Sequence, residues 1–236
     1  ATDKWIEAVA DDLELHRGTC LVVAGEGQPP VVHALAHAMN ESLGNIGKTV
    51  VYSDAIESNP TDQLTSLQEL AKAMDAGQVA VLIILGGNPV FTAPADTPFA
   101  KLLSRVGFAV HLSLYEDETS AACHWHVPES HYLETWSDAR AYDGTATIVQ
   151  PLIAPLYRSK SAHELLAAVA GQADRSGYEI VRDFWRRQKR AEEFEPFWRR
   201  ALHDGVIVGS AFAPKTVKVK SNAFAEKADK TSIQGE

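Results

Sequence analysis

Val79-Ala80-Val81-Leu82-Ile83-Ile84-Leu85 runs without interruption into Gly86-Gly87-Asn88-Pro89. An unbroken apolar run of this length suits a strand covered by helices on both faces, as in a parallel sheet. A small-residue turn directly beyond the carboxyl end of such a strand is where open α/β sheets hold ligands. The stretch therefore points to the fold class and to the place where a site belongs.

Working outward, the flanking sequence alternates helix and strand. Thr2 or Asp3 caps a first helix that carries Trp5, Ile6, Val9 and Leu13 and ends at Gly18, a residue suited to the left-handed helix terminus. Thr19 to Ala24 (TCLVVA) reads as a buried strand, and it opens through Gly25-Glu26-Gly27-Gln28-Pro29-Pro30 into a helix over Val31 to Leu43. Val32, Leu35, Ala36, Met39 and Leu43 give that helix its apolar face. A second unit follows, with a strand at Thr49 to Tyr52 and a helix over Asp62 to Ala76 striped by Leu64, Leu67, Leu70, Ala71 and Met74. After the opening stretch come a helix near Pro98 to Arg105 and a strand over Phe108 to Leu114. Strands alternating with helices of this length predict an α/β fold, a three-layer αβα doubly wound, mostly parallel sheet of Rossmann-like form.

Beyond Ser120 the pattern changes. Cys123 to Pro128 predicts a short strand, and His131 to Leu156, rich in aromatics, turns and prolines, reads as irregular surface. Ser161 and Glu164 form a capping box before Leu165, Leu166 and Val169. Two more helices, about Tyr178 to Arg190 and Glu192 to His203, interleave Phe184, Trp185, Phe194, Phe197 and Trp198 with Arg186, Arg187, Lys189, Arg190, Arg199 and Arg200. This pattern reads as an amphipathic helix pair whose basic side is solvated or docks an acidic partner. Val206 to Val208 reads as a last strand, and the polar end from Lys215 to Glu236 as an extended or frayed tail. The expected organisation is an αβα domain over 1–157, a helical extension packing on it over 158–209, and a tail over 210–236.

Composition narrows the function classes. With 236 residues, 45% of them hydrophobic, the chain can bury one sizeable core. Its 31 acidic and 22 basic residues leave a formal charge of −9, which offers no cationic footprint for a nucleic acid. No apolar run approaches the ~18 residues a membrane helix needs, and the first sixteen residues show neither a basic n-region nor an apolar h-region. Two cysteines, Cys20 and Cys123, are too few for a disulfide scaffold, although they leave a single bridge open.

The candidate motifs are sparse. The loop at Gly25 and Gly27 lies between strand and helix, where backbone N–H groups favour anions, but Pro30 breaks a G-x-G-x-x-G pattern. Asn45 to Thr49 (NIGKT) mimics the end of a P-loop without its leading glycine, and a strand follows instead of a helix. Cys123, His124, His126 and His131 form a dense group of metal-ligating types, and strand alternation places His124 and His126 on one face. A single short segment rarely supplies a whole ligand set, so the group reads first as structural, with a metal site at Cys123, His124 and His126 as the alternative. No G-x-S-x-G elbow occurs. Around Gly86 to Pro89 the sequence offers only Val90, Phe91, Thr92 and Asp96 locally. Glu116, Asp117, Glu118 and Glu134 either approach that sheet end or cap backbone amides. Catalysis needs convergent titratable groups, and the stretch supplies few.

From Cys20 to Tyr157 the chain resembles the αβα domain of the molybdopterin oxidoreductase (dimethyl sulfoxide reductase) superfamily, in which a strand ends in a G-x-N-P turn beside the pterin guanine dinucleotide. The stretches LVVAGEGQPPVVHALAHAMN, IILGGNPVFTAPAD, LYEDETSAACHWHVPESHYLETWSDARAYDGT and IVQPLIAPLY, continuing through FWRRALHDG to about Gly209, are similar to one branch. That branch is the fused molybdopterin-oxidoreductase-like and iron–sulfur subunit of bacterial alternative complex III, a quinol to cytochrome c oxidoreductase. In molybdenum-bearing members the strand after the acidic turn reads A-D-x-x-L-P, with a glutamate and a glycine-threonine shortly downstream. This chain has Cys123-His124-Trp125-His126-Val127-Pro128 and then Leu133-Glu134 and Thr135-Trp136, so His124 replaces the acidic residue.

The resemblance implies a non-catalytic structural and docking domain of a quinol-oxidising complex, at the periplasmic face of the inner membrane, with other domains and subunits as partners. It implies no cofactor in this fragment, and iron–sulfur clusters elsewhere in the full-length chain, since two cysteines cannot hold a four-cysteine cluster. Gly86, Gly87, Asn88 and Pro89, with Gly25 and Gly27, then form a vestigial dinucleotide crevice. The alternative it carries is a functional domain binding molybdopterin guanine dinucleotide at the same residues. On this reading the chain is one domain of a larger polypeptide, whose polar end continues towards the cluster-bearing half.

Overall fold

The computed structural model describes residues 2–188 and 190–218. The chain forms two compact units, one of residues up to Asp54 with the stretch from Phe212, the other Ala55–Ala211.

The first unit is held by two buried asparagines. Helix α1 (Thr2–Leu15) leads to Gly18, at φ +73°, and α2 (Pro30–Ser42) starts on a proline, whose fixed φ suits the first helical turn. The expected strand at Thr19 to Ala24 does not form. Its backbone is gripped instead by Asn40, 2% exposed, whose carboxamide accepts from the Val22 N–H (3.0 Å) and donates to the Val22 carbonyl (2.7 Å). The side chain thus does what a neighbouring strand would do, and Leu21 and Val23 are exposed, not buried. Asn45, fully buried, extends this arrangement: it donates to Asn40 Oδ1 (2.9 Å) and accepts the Gly18 N–H (3.1 Å). Its carbonyl also collects the N–H groups of Lys48, Thr49 and Val50, so the NIGKT stretch is a tight structural turn. The expected strand at Thr49 to Tyr52 reduces to isolated bridges, Val50 to Ile46 and Tyr52 to Lys215. The apolar face of α1 is likewise uncovered, with Trp5 and Ile6 exposed.

The second unit holds the opening stretch. Helix α3 (Gln63–Asp75) is capped by Asp62, which accepts from the Thr65 N–H at 2.6 Å. Strand β1 (Val81–Leu85) follows, then the short helices α4 (Pro89–Thr92) and α5 (Phe99–Leu103), strand β2 (Phe108–Ser113), helix α6 (Glu118–Ala122) and strand β3 (Trp125–Pro128). The three strands form a parallel sheet in the order β1-β2-β3, with Leu85 opposite Leu112 and His111 opposite His126. Leu82, Ile84 and Ala109 line one face against Met74 of α3 and Phe99, Leu102 and Leu103 of α5. The opposite face of β1 is less covered, since Val81 is 58% and Leu85 44% exposed. β1 is thus an edge strand of an α/β sheet among the described residues, and the burial expected on both faces is not met.

Residues 131–156, expected to be irregular, contain strands β4 (Ser137–Arg140) and β5 (Ala146–Val149). They pair antiparallel across a turn in which Asp143 accepts from the Thr145 N–H and hydroxyl and Gly144 sits at φ +88°. Asp143 closes the loop with its side chain and Gly144 supplies the one positive φ, each the usual use of its residue type in a turn. Helices α7 (Ala162–Val169), α8 (Gly177–Arg187) and α9 (Ala191–Asp204) follow, and β6 (Val206–Ile207) joins β5 as the third strand of an antiparallel sheet. Residues 158–209 therefore contribute a strand as well as helices.

Trp185, Phe194 and Trp198 of α8 and α9 face inward and pack with Val181, Ala146, Ile148 and Ile207, whereas Phe184 is exposed. Trp185 Nε1 donates to Asp138 at 2.9 Å, and the Arg182 and Arg186 guanidinium groups each lie 5.2 Å from the Phe194 ring centroid, a cation–π distance. The basic residues are partly paired, Arg182 with Glu195, Arg186 with Asp183 and Arg200 with Asp204. Lys189 and the tail beyond Lys218 lie outside the described residues. No helix among the described residues is long and apolar enough to cross a membrane.

Candidate functional site

Two consecutive glycines end β1, Gly86 at φ +65° and Gly87 at φ +66°, a backbone that other residues adopt only at a cost. The reversal lets the Gly86 N–H reach the Leu112 carbonyl (2.7 Å) and turns Asn88 back over α6. Asn88 Oδ1 accepts from the hydroxyl of Thr119 (2.7 Å), and its Nδ2 donates to Glu118 (2.6 Å). Thr119, fully buried, also accepts the Val90 N–H at 3.0 Å. Pro89 opens α4, where its missing N–H is no loss.

Beneath the turn lies His111, fully buried. The Gly87 carbonyl, 3.0 Å from Nε2, can only accept, so Nε2 carries a proton and Nδ1 faces Ser120 Oγ at 2.9 Å. Asp117 caps α6 through the Ser120 N–H and lies 3.6 Å from His111 Nδ1. Burial pushes the Asp117 carboxyl up, but the Ser120 N–H and the nearby His111 outweigh it and hold the carboxyl below its usual value. The hydrogen bond from Asn88 lowers Glu118 in the same way. The turn and the acidic α6 start are thus one network, and the Asn88 carboxamide is engaged inside it at both ends.

The other sequence candidates take no part in the hydrogen bonds of this network. Gly25 and Gly27 belong to the first unit, in a loop closed by the Gln28 N–H on the Gly25 carbonyl (3.0 Å) at the start of α2. Cys123, His124 and His126 do not converge. His124 is exposed and its Nδ1 accepts the Ala109 N–H (3.0 Å), while His126 Nε2 turns to the Ser113 carbonyl (3.2 Å). Burial against the α3–α5 core raises the Cys123 thiol. Among the described residues no group of three histidine, cysteine or carboxylate side chains is placed to hold a metal ion. Both cysteines are free thiols.

One feature had no local signal in the sequence. Beyond the carboxyl ends of β2 and β3, a cavity of about 360 Å³ is lined by Leu114, Glu129 and His131, by Ser137 and Asp138 of β4, and by Ser161 to His163 at the start of α7. Burial raises the Glu129 carboxyl there, against the opposing pull of His111. Ser137 Oγ lies 3.0 Å from His163 Nε2. The pair is 26 residues apart, and only the pairing of β4 with β5 and the placement of α7 bring it together.

No family model matches the sequence, and no curated protein sequence matches it. Among solved structures, acetylene hydratase from Pelobacter acetylenicus superposes with a TM-score of 0.39 and 17% identity. The superposition covers 45% of this chain and 16% of that one. A likeness of this extent carries no argument about fold family or activity.

Proposed function

We propose that the chain is a structural and docking domain, non-catalytic in electron transfer, of a subunit of a quinol-oxidising respiratory complex, descended from a molybdopterin oxidoreductase. On this reading the α/β sheet is part of a three-layer, doubly wound domain at the periplasmic face of a bacterial membrane. Other domains and subunits, some carrying iron–sulfur clusters, are its partners. The observation that carries the proposal is the internal engagement of Asn88. A turn that holds a dinucleotide must direct its amide and backbone donors outward, whereas here the carboxamide is bonded to both Thr119 and Glu118. A ligand would have to displace a bond to the fully buried Thr119, a loss of roughly 1 kcal/mol before any contact is gained.

Surface chemistry agrees with docking. Leu152, Leu156 and Tyr157 are each more than 70% exposed. The backbone that carries the two leucines is held in place, since the Leu152 and Ile153 N–H groups donate to the Leu133 carbonyl and the Leu156 N–H donates to Glu134. Rigid apolar groups held towards solvent suit an interface, because little side-chain and loop entropy remains to be lost on binding. The test is metal and pterin analysis of the complete subunit. Iron with no molybdenum supports the proposal; stoichiometric molybdenum with extractable pterin refutes it and favours a functional molybdopterin guanine dinucleotide-binding domain.

A further inference from the structure

We propose that the cavity beyond β2 and β3 holds a reactive serine, with Ser137 as nucleophile and His163 as its general base, acting on small, mainly apolar carboxylic esters. The inference is independent of the proposed function, since the cavity shares no residue with the Gly86 to Pro89 turn.

Three serines line the cavity, and their partners distinguish them. Ser130 donates to Ser159 Oγ (2.8 Å), and Ser161 donates to the Glu164 carboxylate (3.0 Å) within the capping box. Ser137 alone among them faces an imidazole, and His163 Nε2 at 3.0 Å is nearer than the Asp138 carbonyl at 3.3 Å. A hydroxyl is a weak nucleophile until a base in hydrogen-bond contact takes its proton. Both residues are half-buried and open on the same cavity of about 360 Å³, which admits a short acyl chain against Leu114, Ala139 and Val149.

A second feature suits the same reaction. The capping box satisfies the N–H groups of Ser161 and Glu164. The N–H groups of Ala162 and His163, the first two of α7, have no acceptor among the described residues, and both residues line the cavity. Unengaged donors on the cavity that holds the nucleophile are what a developing oxyanion requires.

In the reaction, Ser137 Oγ forms a bond to the ester carbonyl carbon as His163 Nε2 takes the hydroxyl proton. The carbon–oxygen bond to the leaving alcohol then breaks, and His163 returns the proton to that oxygen. Water, deprotonated by the same imidazole, hydrolyses the acyl-serine to the free acid and regenerates Ser137. No elbow motif announces this pair, because the two residues lie on a strand and a helix joined only through the fold.

The test treats the 236-residue chain with an alkyl fluorophosphonate and maps the adduct by peptide mass spectrometry. One phosphonyl group at Ser137 is expected, formed on the order of 100-fold more slowly in His163→Gln, the usual range for loss of a general base. Release of p-nitrophenol from p-nitrophenyl butyrate should fall in parallel and vanish in Ser137→Ala. Circular dichroism checks that each variant folds, and His163→Asn replaces His163→Gln if the latter does not. Should neither fold, the mapped position in the unaltered chain decides. No adduct, an adduct at Ser130 or Ser161 instead, or an unchanged rate without His163 overturns the proposal.

Discussion

Thr119→Val tests whether the turn is held from beneath as described. Thr119 is fully buried, and its hydroxyl both donates to Asn88 Oδ1 (2.7 Å) and accepts the Val90 N–H (3.0 Å). Valine keeps the shape and removes both bonds, leaving an unpaired N–H and an amide oxygen beside the β1 end. At about 0.5–1.5 kcal/mol for each bond, the expected loss is about 2 kcal/mol. For a chain of this size that corresponds to a fall in Tm of roughly 4–8 °C. Urea unfolding followed by circular dichroism measures it, with Thr119→Ser, which keeps the hydroxyl, as the control. The double mutant with Asn88→Ala should show a coupling of about 1 kcal/mol, because one bond is common to both single variants. The Asn88 bond to Glu118 adds nothing to this figure, since that carboxylate is in solvent. A Thr119→Val protein as stable as the unaltered chain, or a Thr119→Ser protein equally weakened, would refute the account of the turn.

The acid limb of stability supplies a second check. Asp117 is held below its unfolded value of about 3.9, so its contribution is present above that pH and is lost as pH falls through the lower folded value. Asp117→Asn should therefore flatten the fall in urea midpoint below about pH 4, and an unchanged slope would count against the network. Ser161→Ala removes the α7 cap and should cost about 1 kcal/mol in the same unfolding assay; no measurable loss would contradict the capping box. Glu134, whose carboxyl is lowered by the Leu156 and His131 N–H groups, anchors the apolar loop. In Glu134→Ala, hydrogen exchange at the Leu156 amide should accelerate while the α9 amides stay protected, and equal rates in both proteins would show that the loop is anchored elsewhere.

Local signals are legible where local physics decides. The Ser161 and Glu164 capping box, Gly18 at a helix end and the apolar β1 run all appear where their chemistry requires. The Asp143-Gly144 hairpin carried an equally local signal, hidden among prolines and aromatics that suggested an irregular surface. TCLVVA has the composition of a strand, yet the competing partner for its backbone is a side chain, Asn40, eighteen residues beyond Val22. Composition reports a preference for extended backbone and not which group will satisfy it.

By itself the sequence determined the α/β class, the position of most helices, the apolar run of β1 and the small-residue turn that ends it. Each of these follows from periodicity, caps or allowed dihedrals within a few residues. Only the tertiary structure decided that Asn88 turns inward to Thr119 and Glu118, that His111 is buried beneath Gly87, and that Ser137 meets His163 across a cavity. Such contacts link residues 24 to 31 positions apart. The cost of ordering those segments is met by cores elsewhere in the unit, so no local pattern records them.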